Sequence, residues 1–285
     1  QIMTFEDAAR FESRIGIGAP MKRVNRYVGK TRREAINLVV SELENYQDEY
    51  LWPDWVNNVT PISFFYQAKK RNRLYCGESM FEDSLRMEFS KRLLTSQIPQ
   101  FERLFLFWLD HFSVEFRAYS QSHAFAEHMR LIRKNSNQRF PDLLRNVVND
   151  PGMIVYLNND SSSAKKPNEN LAREFLELFS LGEGKYNEKD IKTLAKAIAP
   201  YGINFVSEKP NWFSSKASGR AFEAFGQSYK NFDEFVRLIT RRADFGEMVA
   251  KKFYREFVSV KPPKTNDIAI LMSKFRSSNF SIPKL

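Results

Sequence analysis

The chain has 285 residues and a formal net charge of +10, with an isoelectric point near 9.5. Hydrophobic residues make up 42% of the sequence and aromatic residues 14%, which supplies enough apolar area for a large core and argues against disorder. The apolar runs are far shorter than the roughly 20 residues of a membrane-spanning helix, so no transmembrane segment is expected. Because no linker rich in Gly, Ser or Pro divides the chain, we expect one domain or two tightly packed lobes.

The positive charge is spread along the chain in short groups, such as residues 69–71 and 251–252. Most of these groups alternate with acidic residues, which indicates solvated helix faces and gives no strong nucleic-acid signal. A surface for polyanions is the alternative, since net positive charge favours anionic partners. Cys76 is the only cysteine, so neither an intrachain disulfide nor a thiolate metal cluster can form.

Capping signals and apolar periodicity predict a succession of helices in chain order. Thr4 with Asp7, and Thr31 with Glu34, have the spacing of capping boxes at the start of the first two helices. Asn187 with Asp190, and Asp244 with Glu247, have the same spacing at the start of two later helices. Further helices are predicted over residues 60–68, 78–94, 101–112, 121–133, 141–149, 152–157, 187–198, 244–257 and 266–277. The helix over 78–94 is predicted to bury Met80, Phe81, Leu85, Phe89 and Leu93.

One segment departs from this pattern. Residues 200–230 are rich in Gly, Pro, Ser and aromatic side chains, and they are the one place where short strands are expected. The sequence as a whole therefore predicts an all-α, bundle-like single helical domain over residues 1–285, with one irregular segment near 200–230. The chain stops just after an apparent helix, from which we expect further C-terminal sequence.

The most sharply bounded helix is predicted over residues 168–182. Asn168 can cap its first turn, Glu169 lies where the helix dipole favours an anion, and Gly182 is placed for a left-handed stop. At 100° per residue, one face is apolar and carries Leu171, Ala172, Phe175, Leu176, Leu178 and Phe179. The opposite face is polar and carries Glu169, Asn170, Arg173, Glu174 and Glu177. We therefore expect this helix to pack on one side and to present charge on the other.

The polar face of this helix permits two interpretations. Glu169 and Glu177 each lie four residues from Arg173, a spacing that by itself gives exposed ion pairs worth about 0.3–0.5 kcal/mol each. Glu174 and Glu177 lie three residues apart, so they can equally hold a hard cation or serve as an acid/base pair.

The three histidines are weighed in the same way. His111 follows Asp110 at the end of a helix that is apolar almost all round, where neither polar group should be buried without a partner. A structural hydrogen bond is the simpler interpretation of His111, and ligation or proton transfer is the alternative. His123 and His128 lie five residues apart, off the four-residue spacing of a metal pair on one helix face, and we interpret both as structural.

Residues 167–184, PNENLAREFLELFSLGEG, closely resemble the signature of the bacterial domain of unknown function 1800 family. Residues 107–112, 140–144, 150–153 and 252–258 resemble further elements of that family, in the same order. The family's His-x-His pair and acidic helix imply a metal or acid/base cluster, which falls here on His111, Glu169, Asn170, Arg173, Glu174 and Glu177. Leu109 replaces the first histidine of the pair, and Lys185 replaces another that is frequent in the family.

The resemblance also implies where the protein acts. Members are mostly bacterial and often carry export signals, which implies a periplasmic or secreted location and a partner from another exported family encoded nearby. Members generally run longer than this chain, which agrees with the expectation of missing C-terminal sequence.

Two functions follow as expectations. The first is a non-enzymatic or degenerate envelope protein that binds an anionic or glycan-like ligand through its basic surface. Its ligand-binding residues would be Asn168, Glu169, Asn170, Arg173 and Asp110. The second is a metal-dependent or acid/base hydrolase-like enzyme with Glu174, Glu177 and His111 as catalytic residues and a divalent metal ion as a compatible cofactor. The second function requires the two carboxylates and the imidazole to converge.

Overall fold

The structure is a computed structural model that describes residues 1–48, 52–58, 74–115, 122–163, 165–199 and 221–285. These ranges are mainly helical, which confirms the predicted fold class. The α-helices are α1 Phe5–Ile15, α2 Met21–Val24, α3 Arg32–Asn45, α4 Asp54–Asn58, α5 Leu74–Thr95, α6 Pro99–His111, α7 Ser122–Asn135, α8 Phe140–Val147, α9 Pro151–Tyr156, α10 Asn170–Glu174, α11 Glu188–Ile198, α12 Phe232–Ile239, α13 Glu247–Phe253 and α14 Thr265–Ser277.

Shorter elements connect and extend these helices. They are 3-10 turns at Asn159–Ser161 and Ile282–Lys284, π-helical turns at Phe175–Ser180 and Tyr254–Val258, and the strands β1 Phe222–Ala224 and β2 Gln227–Tyr229. The predicted helix over 60–68 and most of the predicted irregular segment, residues 200–220, lie outside the described residues.

Helix α6 runs through the hydrophobic core, because its side chains are apolar almost all round. Trp108 is fully buried, and its ring stacks on Phe112 and Phe140 at centroid distances of 5.9 and 5.5 Å. The same core cluster includes buried residues from α1 at one end of the chain to Ile282 at the other. At the end of α6, His111 and Phe112 lie against Phe179 in the segment that follows residue 174.

Capping boxes begin three of the helices as the sequence predicts. Thr4 with Asp7 starts α1, Thr31 with Glu34 starts α3, and the pair Asn187 and Asp190 starts α11.

The predicted start of the helix over 244–257 is wrong. Helix α13 begins at Glu247, and its N-cap residue is Gly246 in the left-handed conformation, with φ of 83°. A Cβ atom at Gly246 would lie 3.3 Å from the Phe275 ring, so both the backbone conformation and the packing favour glycine there. Asp244 instead accepts hydrogen bonds from the Arg242 guanidinium.

The described end of the irregular segment forms a β-hairpin, as the composition predicted. Strands β1 and β2 pair antiparallel, with Phe222 opposite Tyr229. Phe225 and Gly226 form the two-residue turn, and both have positive φ, as in a type I′ turn. The hairpin is fixed to α11 by a hydrogen bond of 2.7 Å from the Phe225 amide to the Asp190 carboxylate.

Helix α5 is long, and it buries less of its predicted apolar face than the sequence indicates, since Phe81, Phe89 and Leu93 are only half-buried. Leu85 is buried as expected, but Met80 is 69% exposed and lies on the opposite face. No helix in the described ranges is long and apolar enough to cross a membrane.

Candidate functional site

The central helix changes its geometry halfway along. Helix α10 passes directly into the π-helical turn Phe175–Ser180. The Leu181 amide donates to the Leu176 carbonyl oxygen at 3.0 Å, five residues back rather than four. Such π turns inside helices are rare and are frequent at functional sites.

The π turn alters which side chains the helix buries. The chain rotates less per residue in a π turn than in an α-helix. The side chains after Phe175 therefore point in directions around the helix axis that differ from those predicted at 100° per residue. Ser180 is fully buried and donates its hydroxyl to the Phe175 carbonyl oxygen at 2.6 Å. Leu178, predicted on the buried face, is instead 47% exposed. The other five apolar residues of that face are buried as predicted, and Gly182 has φ of 100°, which confirms the left-handed stop.

Three predicted ligand-binding residues form the first turn of this helix. The Asn168 side-chain oxygen accepts a hydrogen bond of 2.9 Å from the Asn170 amide, so Asn168 caps the first turn as predicted. The Asn168 side-chain amide donates to the Asn158 carbonyl oxygen at 3.1 Å, and Glu169, the residue directly before α10, makes no side-chain capping bond of its own. These contacts hold the start of the helix against the preceding loop.

Arg173 forms ion pairs with two neighbouring carboxylates. Its two terminal nitrogens lie 3.0 and 3.2 Å from the two carboxylate oxygens of Glu188 on α11, and one of them lies 3.5 Å from Glu169. The Glu188 hydrogen bonds raise the pKa of Arg173, and the same bonds lower the pKa of Glu188. The arginine therefore joins α10 to α11.

Glu174 and Glu177 have different surroundings. The Glu177 carboxylate accepts a hydrogen bond from the Tyr186 hydroxyl, and burial together with this bond raises the pKa of Tyr186. One carboxylate oxygen of Glu174, Oε2, is buried without a hydrogen-bond partner. Burial, followed by the neighbouring charge of Glu177, raises the pKa of Glu174. A carboxyl group with a raised pKa beside a second carboxylate is a typical acid/base arrangement.

His111 is buried, and both of its ring nitrogens have partners. Nε2 lies 3.2 Å from the Phe179 carbonyl oxygen, and Nδ1 lies 3.2 Å from the Lys252 ammonium. A carbonyl oxygen can only accept and an ammonium can only donate, so the bonds fit a neutral imidazole with its proton on Nε2. Burial, followed by the Lys252 charge, lowers the pKa of His111 to about 3. His111 therefore stays neutral near pH 7.

Asp110 and Lys252 complete this end of α6. Asp110 is exposed, so its carboxylate needs no buried partner, contrary to the expectation that both residues at the helix end require one. Burial lowers the pKa of Lys252, and the Asp110 charge opposes that shift. Lys252 belongs to one of the short basic groups interpreted as solvated, so its contact with His111 was missed.

The structure does not join His111 to the carboxylates of the central helix by hydrogen bonds. His111 reaches that helix through the Phe179 backbone, whereas the side chain of Glu177 is bonded to Tyr186. In the part of the chain that the structure describes, no three His, Cys, Asp or Glu side chains are grouped closely enough to hold a metal ion.

A second buried histidine lies outside the predicted site. The His128 imidazole on α7 bonds through Nδ1 to the Asp150 carboxylate, which also accepts a hydrogen bond of 3.0 Å from the Gly152 amide at the start of α9. A Cβ atom on Gly152 would lie 2.7 Å from the His128 Cβ, so glycine permits the close approach of the two helices. His128 Nε2 is buried without a partner. The side chain of His123 lies outside the described residues.

A polar cleft lies between the end of α3, α7 and α8, and its volume is about 650 Å³. It combines carboxamide, cationic, acidic and aromatic side chains, among them Gln47, Trp52, Arg130, Arg133, Lys134, Asn137, Gln138, Asp142, Arg145 and Asn146. The Arg130 guanidinium lies 5.3 Å from the Trp52 ring centroid. None of the predicted site residues lines this cleft. The sequence did not indicate the cleft, because its lining residues come from separate helices and share no sequence motif.

A family model described as "Protein of unknown function (DUF1800)" matches residues 10–285. The chain belongs to this family. The match covers nearly all of the sequence and includes the central helix, the end of α6 and the segment around Lys252, so the resemblance seen in those motifs is confirmed. The chain matches no curated protein and no solved structure.

Proposed function

We propose that the protein binds an anionic glycan and that the ligand lies in the polar cleft. The observation that best supports this function is the composition of the cleft lining, where carboxamides, cations, carboxylates and an aromatic ring share one opening. Sugar hydroxyl groups pair with carboxamides and carboxylates, and acidic sugars pair with guanidinium and ammonium groups. An indole ring adds an apolar surface for the less polar face of a sugar ring.

Lys134 is the cation of the cleft that is best placed to meet an acidic ligand. It is exposed and forms no ion pair within the described ranges. Arg133 is bonded to Glu102 and Asp48, and Arg145 lies 3.1 Å from Asp142. A ligand carboxylate can thus bind Lys134 without displacing an existing ion pair.

This proposal moves the binding site away from the central helix. Arg173 already forms ion pairs with Glu188 and Glu169, and the Asn168 side chain already accepts a hydrogen bond from the backbone of its own turn. A ligand at that position would have to break these contacts. An exported location, which the family resemblance implies, is part of the same proposal.

Binding can be tested by calorimetry with tri-galacturonic acid, and with maltotriose as an uncharged trisaccharide of similar size. We expect saturable binding of tri-galacturonic acid and at least tenfold weaker binding of maltotriose. Lys134→Gln should weaken binding of the acidic sugar about tenfold, which corresponds to 1.4 kcal/mol. Lys192→Gln, on the exposed face of α11, is the matched control and should bind like the parent.

Two results would count against the proposal. One is the absence of saturable binding by both trisaccharides, and the other is equal loss of affinity in the Lys134 and Lys192 variants. The second result would mean that the sugar responds to overall charge and not to the cleft.

The second candidate function is acid/base hydrolysis at the central helix by the two carboxylates alone, because His111 does not join them as the sequence-based hypothesis required. The observation that favours it is the buried, unpartnered oxygen of Glu174 beside Glu177. A carboxyl group in such surroundings can stay protonated and donate a proton to a leaving group, while the second carboxylate acts as base. His111 cannot supply the proton near neutral pH, because burial keeps its imidazole neutral and both nitrogens are bonded.

This candidate predicts products rather than binding alone. Prolonged incubation with tri-galacturonic acid should give shorter saccharides by mass spectrometry, and Glu174→Gln should abolish them. Glu183→Gln, at an exposed position after the same helix, should leave the product yield unchanged. Intact trisaccharide in all samples would contradict hydrolysis of this sugar.

A further inference from the structure

We propose that the outward face of α5 is the contact surface of a homodimer. In this dimer, α5 of one copy packs antiparallel against α5 of the second copy, with the two-fold axis at Met87. The proposal rests on the exposed side chains of α5 and does not depend on the proposed glycan binding.

The outward face of α5 carries a stripe of three exposed apolar side chains, with the polar residues Asp83, Ser84, Ser90 and Lys91 on the turns between them. Met80, Met87 and Leu94 are 69%, 71% and 84% exposed, and they follow one another at intervals of seven residues. Seven residues are close to two helical turns, so the three side chains form one line along the helix. Leu85, on the opposite face, is 2% exposed and packs into the protein. Apolar side chains that form a line on a surface mark a contact site more often than scattered ones do.

An antiparallel pair of identical helices has a simple matching rule. Residues at equal distances before and after the two-fold axis face each other, because the axis exchanges the two directions of the helix. With the axis at Met87, Met80 faces Leu94 of the second copy, since each lies seven residues away. The two Met87 side chains meet at the axis. The stripe is therefore apolar against apolar at three successive positions.

The charges beside the stripe obey the same rule. Asp83 and Lys91 lie four residues before and after Met87, and both are exposed. Each Asp83 would thus face Lys91 of the second copy, with opposite charges in contact. Ser84 and Ser90, three residues from Met87 on either side, also match.

This charge pattern selects a second copy in antiparallel orientation. A parallel dimer would place Asp83 beside Asp83 and Lys91 beside Lys91, which is repulsive. In the described chain Asp83 forms no ion pair, and Lys91 has only a distant one, at 3.7 Å from Glu88. Both charges are consequently available to a partner.

The contact should be of moderate strength. One helix face buries an area at the small end of specific protein interfaces, so we expect a dimer that dissociates in the micromolar range. Methionine side chains are flexible and polarizable, which suits them to contacts of this kind.

Sedimentation equilibrium across a hundredfold range of concentration tests the proposal. We expect the parent protein to shift from monomer to dimer, and Met87→Glu to remain monomeric because two carboxylates would then meet at the axis. Ile270→Glu, at a 52% exposed position of α14, is the matched control and should dimerise like the parent. Circular dichroism on each variant shows whether the fold is kept. A parent that stays monomeric throughout, or a folded Met87→Glu variant that dimerises like the parent, overturns the proposal.

Charge reversal tests the register of the pair. Asp83→Lys alone and Lys91→Asp alone should each weaken dimerisation about tenfold, because each creates two like-charge contacts. The double variant Asp83→Lys with Lys91→Asp should regain the affinity of the parent, since the charges are again opposite. A double variant as weak as or weaker than the single variants would exclude this antiparallel register.

Discussion

Glu102 on α6 and Glu174 on α10 each place carboxylate oxygens inside the protein, but only the first is fully matched by donors. The Arg133 guanidinium forms two hydrogen bonds to Glu102, at 2.7 and 2.9 Å, and Arg92 adds a third at 3.1 Å. Arg133 is itself 2% exposed and also bonds to Asp48. Glu174, by contrast, keeps one buried oxygen without a partner.

This difference separates a structural charge cluster from a candidate reactive one. A buried carboxylate that receives several charge-assisted hydrogen bonds is fixed in one position. A carboxyl with a buried oxygen that receives no such bond has a raised pKa, because burial disfavours its charged form. The Glu102 cluster therefore holds α6 against α7. The central helix, in contrast, keeps the Glu174 carboxyl, which has one oxygen without a hydrogen-bond donor.

The largest expected effect comes from removing the charge of Glu102. Glu102→Gln leaves the buried Arg133 guanidinium with Asp48 as its remaining carboxylate, and we expect a loss of about 3 kcal/mol in the free energy of unfolding. Urea denaturation at pH 7 measures this loss. The exposed Glu183→Gln substitution is the control, with a change within about 0.5 kcal/mol. Equal stabilities of the two variants would contradict the structural role of the cluster.

The second effect is a dependence of the free energy of unfolding on pH, which is caused by the buried His111 imidazole. The pKa of His111 is lowered to about 3 in the folded protein, and its ordinary value is 6.5. The unfolded chain therefore binds a proton below pH 6.5 that the folded protein does not bind until about pH 3. The contribution of His111 to stability is complete above pH 6.5 and falls by about 1.4 kcal/mol per pH unit across this window.

This pH dependence is measured by urea denaturation of the parent and of His111→Gln at pH 7, 6, 5 and 4. Other titrating groups contribute equally to both proteins, so the advantage of the parent should shrink as the pH falls. Parallel stability curves for the two proteins would show that His111 is not held in the neutral form.

The third effect concerns Glu174, whose carboxyl group has one buried oxygen without a hydrogen-bond partner. The pKa of Glu174 is raised, so its ionised form is disfavoured by the fold, and the cost is present at neutral pH and absent below the ordinary carboxyl pKa. Glu174→Gln should consequently be better tolerated at pH 7 than at pH 3, because it removes a cost of ionisation that is present only at the higher pH. Thermal denaturation at the two pH values measures the difference. A loss of stability at pH 7 that exceeds the loss at pH 3 would mean that the carboxylate has a partner.

The smallest effect is expected at the exposed ion pair between Arg173 and Glu188. Both side chains are in contact with solvent, so water screens their attraction. Arg173→Gln should change the free energy of unfolding by no more than about 0.5 kcal/mol, and adding salt should reduce the change further. A loss several times larger, measured by the same urea denaturation, would place Arg173 with the structural cluster instead.

The sequence by itself determined the helical class, the family and the ends of the central helix. Capping residues such as Thr31 and Asn187 act within three residues of themselves, so their effect can be predicted from local sequence. Gly182 was equally predictable, because a left-handed stop depends on the absence of a Cβ atom. The apolar spacing of the central helix also predicted five of its six buried residues correctly.

Only the tertiary structure decided which polar groups meet. The π turn at Phe175–Ser180 exposes Leu178, and helical periodicity assumes a constant rotation that this turn breaks. The contacts of His111 with Lys252 and of Glu177 with Tyr186 join residues whose spacing in the sequence carries no signal. The polar cleft is assembled from separate helices in the same way. Capping and periodicity are local properties of a chain, whereas partners for buried charges are chosen by packing between distant segments.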